Sequence, residues 1–276
     1  MPISPATARL IEVAEIAFIT AQIGAARHSV PAAGFLAEPV GGGVAALTKP
    51  DFGRKLNHVA GFGMNGPVTE KDIDTIERIY SAIGVPPEIN LCPFADPSAR
   101  ELLAPRGWMV CAEMNVWSLS LHDYTGDSWP EGKEIVIGTV REEEMDQFIT
   151  ASTDGFRVKD QESDLPRTLA YAAYHRPDSR VYFARINGQI AGTAAMALIK
   201  TPLGRVAELY LDSTVPEFRG KGVQAALLRT RLAEAKRAGF DIAAVTTWPQ
   251  GTSARNVERV GFRLAYKKDV YTPAVN

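Results

Sequence analysis

The chain repeats its own plan, and a chain that does so must fold into something that can be built twice. Ser98-Ala99-Arg100 precedes Gly107-Trp108, and Ser253-Ala254-Arg255 precedes Gly261-Phe262, an offset of 155 (253 − 98). A helix-like run closes on Ala82-Ile83-Gly84 in the first copy and on Ala238-Gly239 in the second, again 155 apart (239 − 84). A strand-like run then leads to Cys92-Pro93 or to Trp248-Pro249, 156 apart (249 − 93). Each copy reads as strand, helix, strand, helix, strand. The expected class is α/β, with an α+β mixed sheet flanked by helices in each of two tandem units. At 276 residues there is room for about two ordinary domains.

The copies part company at one turn. Val215-Pro216-Glu217-Phe218-Arg219-Gly220-Lys221-Gly222-Val223-Gln224 joins the strand-like run from Arg205 to Thr214 to a helix-like run ending at Gly239. Two glycines let the backbone pass close to a bulky anion with no Cβ in the way. The N–H groups of Gly222, Val223 and Gln224 then point out of the new helix at its positive end. Strand, glycine turn and helix start together make a phosphate cradle, and Arg219 and Lys221 add charge. Subtracting 155 lands on Met64-Asn65-Gly66-Pro67, with one Gly, no Arg or Lys, and a Pro that has no N–H to offer.

Other phosphate motifs fit less well. A Walker A loop needs four residues between its first Gly and a Gly-Lys-Ser/Thr, which this turn lacks. A dinucleotide fingerprint could run from Gly220 to Ala225, since Ala is allowed at its last place, but no acidic residue ends a second strand about 20 residues on. Asp241 opens the next strand instead.

Arg219-Gly220-Lys221-Gly222-Val223-Gln224 resembles the signature Arg/Gln-x-x-Gly-x-Gly/Ala of the GNAT superfamily of N-acetyltransferases, with Gln224 where Gly or Ala is usual. The resemblance implies two GNAT-like units in tandem. Residues 1–128 would be a degenerate unit without the cofactor loop, and residues 134–276 a catalytic N-acetyltransferase unit using acetyl-coenzyme A as co-substrate. It further implies that Arg219, Gly220, Lys221, Gly222, Val223, Gln224 and Ala225 hold the pyrophosphate, and that the backbone of Asp212, Ser213 and Thr214 pairs with the pantetheine arm.

The boundary is expected in His122 to Lys133, rich in Asp, Gly, Ser and Pro. After it come a strand over Glu134–Val140, helices over Glu142–Thr150 and Leu165–Tyr174, and a hairpin of Val181–Ile186 and Gln189–Ile199 across Asn187-Gly188. The helix from Gly222 to Ala238 should bury Ala225, Leu228, Leu232 and Ala235. Ile242–Thr247, a helix over Thr252–Val260 and strands around Arg263–Tyr271 complete the unit.

On the strand from Arg205 to Thr214, alternation puts Ala207, Leu209, Leu211 and Ser213 on one face and Glu208, Tyr210, Asp212 and Thr214 on the other. A polar row on one face of a mid-chain strand suits a wet cleft. Amine acylation uses a base to free the nucleophile and a donor for the developing oxyanion. Glu208, eleven residues before Arg219 in the context Ala207-Glu208-Leu209, is the first choice of base; the resemblance to histone-acetyltransferase members implies the same. Asp212 is the second. A surface or salt-bridged Glu is the plain alternative. Many members place a proton-donating Tyr where this chain has Val257, an Asn where it has Gln250, and an alternative base where it has Val245. Gln250 can substitute as a pantetheine ligand, and Tyr266 or Tyr271 could supply the acid or simply pack. Ser253 and Asn256 cap the last helix or touch the cofactor, and Trp248 walls an acceptor pocket or packs in a core.

Composition narrows the partners. Net charge is −2, so no global field draws nucleic acid or anionic membrane. Leu10–Ile23 carries Glu12 and Glu15 with no basic flank, which reads as neither a signal peptide nor a membrane span. The four His lack ligand spacing, so no metal is expected, and Cys92 and Cys111 read as two buried thiols of a cytoplasmic protein. The expected activity is direct acetyl transfer to a primary amine of a small molecule or peptide, and a homodimer is compatible with the sequence. A non-catalytic acyl-coenzyme A sensor and a nucleotide-binding reductase are the alternatives.

Overall fold

The computed structural model describes residues 3–30, 33–126, 134–156 and 164–274. Its contacts divide the chain into two compact units. The first holds Met1–Val116, Thr247–Pro249 and Leu264–Asn276, and the second Trp117–Thr246 and Gln250–Arg263.

The division is not the one expected. The last strand was assigned to the second unit, but its residues from Leu264 onward belong to the first. The preceding unit's last strand, β5 (Trp108–Ser120), in turn runs past Val116 into the second unit. A strand is assigned by the edge it pairs with, and sequence position does not decide that. Part of the expected linker, residues 127–133, lies outside the described residues.

In the first unit, α1 (Pro5–Ala26) starts at Ser4, whose hydroxyl accepts the Thr7 N–H at 3.1 Å. Then come β1 (Leu36–Val40), β2 (Gly43–Leu47), α2 (Gly53–Leu56), β3 (His58–Ala60), α3 (Glu70–Ala82), β4 (Ile89–Leu91) and α4 (Ser98–Leu103). Strand order is β1-β2-β3-β4-β11, where β11 is Arg263–Pro273. The β3–β4 pair is parallel and the other three antiparallel. The α3 helix buries Ile73, Ile76 and Tyr80, and the Tyr80 hydroxyl donates to the Ala46 carbonyl at 2.8 Å. Its N-terminus is closed by its own side chain. The Asp72 carboxylate accepts the Thr69 N–H at 2.8 Å, the Thr69 hydroxyl at 2.7 Å and the Gly41 N–H at 3.2 Å. Burial works to raise the Asp72 pKa, but these hydrogen bonds outweigh it and hold the carboxyl below its usual range.

One expectation fails here and one alternative is removed. Cys92 is buried, its thiol pushed up to about 12 by desolvation, but Cys111 is exposed. Trp248 is 48% exposed, which removes it from any core, and the Arg54 guanidinium stacks over its ring at 4.6 Å.

In the second unit the order is β6 (Ile135–Thr139), α5 (Met145–Phe156), α6 (Leu165–His175), β7 (Ser179–Ile186), β8 (Gln189–Thr201), β9 (Gly204–Thr214), α7 (Val223–Arg237), β10 (Ile242–Thr247) and α8 (Thr252–Val260). Strands lie in the order β10-β9-β8-β7-β6. The β7–β8 hairpin turns on Asn187 and Gly188, both at positive φ, as a two-residue turn of this kind requires. β6 to β9 are antiparallel, while β9, α7 and β10 form a parallel crossover. One core includes Ala207, Leu209, Leu227, Leu228, Leu232, Val257 and Phe262. A second joins Phe148, Ile149, Ala170, Ala173, Val181, Phe183 and Ala195. The buried stripe of α7 is wider than expected: Ala226, Leu227 and Arg231 are buried with Leu228, Leu232 and Ala235, while Ala225 is half-buried.

Candidate functional site

The site is built where β9 ends and α7 begins. A turn of 3-10 helix over Pro216–Phe218 leads to Gly220 at φ 79° and Gly222 at φ 85°, left-handed conformations that glycine adopts without steric cost. Among the described residues, a Cβ at either glycine would meet no atom within 4 Å, so these leave the space over both open. The first hydrogen bond of α7 is Ala226 N–H to the Gly222 carbonyl at 3.0 Å, which leaves the earlier amides ahead of the ladder. Among the described residues no side chain caps this end of the 15-residue helix. Positive partial charge and amides ahead of the ladder at one mouth favour an anion.

Around the mouth, Arg219, Gly220, Lys221 and Gly222 are exposed. Arg219 reaches the Gly155 carbonyl at 3.5 Å, and the Lys221 ammonium lies 5.2 Å from the Phe218 ring centre. Val223 is buried under the first turn. The Gln224 side chain is occupied by α8: its amide nitrogen donates to Ser253 Oγ at 3.2 Å, and its oxygen accepts from Asn256 at 2.6 Å. Ser253 therefore does not cap α8, whose N-cap is Gly251 without a side-chain bond. Gln250 is exposed.

β9 carries a β-bulge that alternation could not show. Ala195 faces Tyr210 and Thr193 faces Ser213, so Leu211 and Asp212 together oppose Ala194. Leu211 stands at φ 56°, a left-handed conformation that costs a non-glycine residue about 1–2 kcal/mol. The extra residue swaps the faces beyond it. Ala207 and Leu209 keep the expected face, but Leu211 packs with Tyr210 against the second core. Ser213 Oγ turns to the Ser152 carbonyl at 3.4 Å, and Asp212 turns to Arg231 of α7. Asp212 is thus an ion-pair partner, which corrects its reading as a second base. Burial raises its pKa, and Arg231 opposes that rise.

The bulge coincides with a parting of strands. The β10–β9 register runs from Ile242↔Val206 to Ala244↔Glu208, whereas β9 continues to Thr214. Among the described residues, the β9 edge beyond Glu208 therefore lies outside the ladder and offers backbone groups. Glu208, half-buried, stands at the last paired position, opposite Ala197 on β8. Its neighbour Tyr210 shares a hydrogen bond with Ser179 at 2.8 Å, and burial raises that phenol's pKa.

Two glycines that sequence reading passed over let this end of β9 pack. A Cβ on Gly155 would run into Ser213 Oγ, and one on Gly192 would lie 2.6 Å from the Ser213 carbonyl and 2.7 Å from Val223.

Tyr266 has a partner of its own. It belongs to the first unit, is 6% exposed, and donates its hydroxyl to Glu12 at 2.6 Å. Desolvation drives its pKa far up, with the Glu12 charge next. Its hydroxyl proton is engaged by Glu12 within the first unit, which corrects its reading as the acid. Tyr271, on the same strand, pairs with Ile89 of β4 in the first unit. Val257 is 1% exposed and Val245 7%, so both positions are plain core. Among the described residues no group of three or more His, Cys, Asp or Glu is placed to hold a metal, and no helix is long and apolar enough to cross a membrane.

Residues 138–262 match the family model described as acetyltransferase (GNAT) family. Over 93% of its length the chain is similar to a GCN5-related N-acetyltransferase from Kribbella flavida, with a TM-score of 0.64, 17% identity and 96% of that chain covered. It is also similar to a tandem GNAT protein from the clavulanic acid biosynthesis pathway, with a TM-score of 0.53, 14% identity, and 72% and 67% of the two chains covered. A GCN5-related N-acetyltransferase from Sphaerobacter thermophilus gives a TM-score of 0.52 at 19% identity over 75% of this chain and 67% of that one. At these identities the likeness is one of fold. No curated protein matches the chain.

Proposed function

We propose, on the premise that residues 138–262 are a GNAT-family acyltransferase domain, that the protein moves an acetyl group from acetyl-coenzyme A to a primary amine by direct transfer in a ternary complex. The reading rests on the mouth of α7, uncapped and opened by Gly220 and Gly222. There the amides from Gly222 to Ala225 would take the pyrophosphate, with Arg219 and Lys221 as added charge. The β9 backbone from Asp212 to Thr214 would pair with the pantetheine arm, and Gln250 would add an amide. Acetyl-coenzyme A supplies a thioester, an acyl group on a fair leaving group.

Glu208 is the proposed base, acting directly or through a water. It takes a proton from the ammonium form of the acceptor; the freed amine attacks the carbonyl carbon, the C–N bond forms and the C–S bond breaks. The departing thiolate needs no side-chain acid near neutral pH, and water can protonate it.

Calorimetric titration with acetyl-coenzyme A tests the reading first: no binding removes it. Turnover of an amine should then drop by about 10²–10⁴ in Glu208→Gln, with the acidic limb of the rate profile lost. Undiminished turnover would assign the base elsewhere.

The engagement of Tyr266 with Glu12 and the apolar Val257 favour a second reading, a domain that binds acyl-coenzyme A without turnover. Binding with no acetylation across peptide, polyamine, aminoglycoside and amino-acid acceptors would support it.

A further inference from the structure

Arg231 is a charged residue on the buried stripe of α7, and it is 0% exposed. A methionine or leucine there would pack α7 without taking a charge out of water. The guanidinium instead reaches four groups. It donates to the Leu227 carbonyl of its own helix at 3.1 Å, to the Ala195 carbonyl of β8 at 2.8 Å and, at the long limit of 3.5 Å, to the Tyr210 carbonyl of β9. It also pairs with the Asp212 carboxylate. Tyr210 and Asp212 flank Leu211, the residue at positive φ, and Ala195 is the partner of Tyr210 across the ladder. One planar fork therefore holds both sides of the bulge.

We infer that Arg231 is a positioning residue for acyl-carrier binding: by clamping the residues on either side of Leu211 it sets the direction of the β9 backbone from Asp212 to Thr214. The inference rests on the reading of that backbone as the pantetheine site. A left-handed leucine persists only where its surroundings over-determine it. With the fork gone, β9 can regularise, its faces shift by one residue, and the backbone groups beyond Glu208 no longer face the gap beside β10.

The prediction separates two parts of one ligand. Coenzyme A uses the α7 mouth and the β9 backbone, whereas 3′-phosphoadenosine 5′-diphosphate, its nucleotide end, uses the mouth alone. Calorimetry on the full chain would compare both for the wild type, Arg231→Lys, Arg231→Met and Asp212→Asn. Asp212→Asn keeps side-chain shape and removes only the charge, so it serves if Arg231→Met does not fold, as circular dichroism would report. Coenzyme A should weaken about tenfold or more in the folded variants while the nucleotide changes by less than about twofold. KM for acetyl-coenzyme A should rise with that for the amine unchanged. Equal losses for both ligands, or none for either, would overturn the inference and leave the acyl-coenzyme A reading standing. A wild type that binds neither ligand would remove both.

Discussion

α3 and α7 occupy matching places in the two copies, with Gly84 and Gly239 at positive φ behind them, yet their N-termini are finished in opposite ways. α3 carries Thr69 at its N-cap and Asp72 three residues in, and that carboxylate fills the mouth. α7 carries Gly222 and Ala225 at the same two places, and among the described residues no side chain caps it. The same partial charge meets a carboxylate of its own helix in one copy and, under the proposed function, an anion of the acyl carrier in the other. The two helix starts thus differ in chemistry at their N-cap and third positions within the same strand-turn-helix plan.

The comparison can be broken by closing the open mouth. Gly222→Asp adds a carboxylate and a Cβ at φ 85°, and acetyl-coenzyme A affinity should fall by at least about 100-fold in calorimetry. Intact binding would separate α7 from the anion. Ala225→Asp copies the α3 arrangement without disturbing Gly222 and should cost about tenfold. Opening the closed mouth is a smaller event. Asp72→Ala should destabilise the first unit by about 1 kcal/mol in urea melts and create no acetyl-coenzyme A site there. A new second site on the titration would mean that the capping carboxylate alone silences the first copy.

The sign of the pH effect follows from the lowered pKa of Asp72. The folded state binds the carboxylate better than the unfolded chain does, so this stabilisation is full above the unfolded value of 3.8 and fades as pH falls through the lower folded value. The difference in stability between the wild type and Asp72→Ala should therefore shrink below that pH. The smallest effect is at the exposed Lys221. Lys221→Ala should weaken acetyl-coenzyme A only about three- to five-fold at low salt, and less at high salt, because the charge is solvated. A salt-independent loss would mean that Lys221 is engaged by more than a solvated charge.

Much of this was legible locally. The Asn187-Gly188 turn, the crossover from β9 through α7 to β10, and the extent of α8 follow from turn chemistry and periodicity, and each lies within a residue or two of expectation. α5 runs to Phe156, past the expected Thr150; its extra turn brings Ser152 to Thr193 at 2.7 Å, and Gly155 lets β9 pass. The Leu211 bulge was invisible because alternation assumes that no residue is inserted. Arg231 left one trace, an arginine within the stripe that holds Leu228, Leu232 and Ala235, and a charge on a buried stripe deserved a partner. The partner of Tyr266, Glu12, lies 254 residues earlier in the chain, beyond the reach of any local pattern.

The sequence by itself determined the duplication, the element order and the glycines that open one helix mouth, since these depend on backbone freedom and periodicity within a few residues. Only the tertiary structure decided where β5 and β11 are shared out, which face Asp212 takes, and what Tyr266 and Arg231 hold. Those choices are made by partners far along the chain. Pairing edges, buried charges and one-residue register shifts gain their energy from groups that no local window contains.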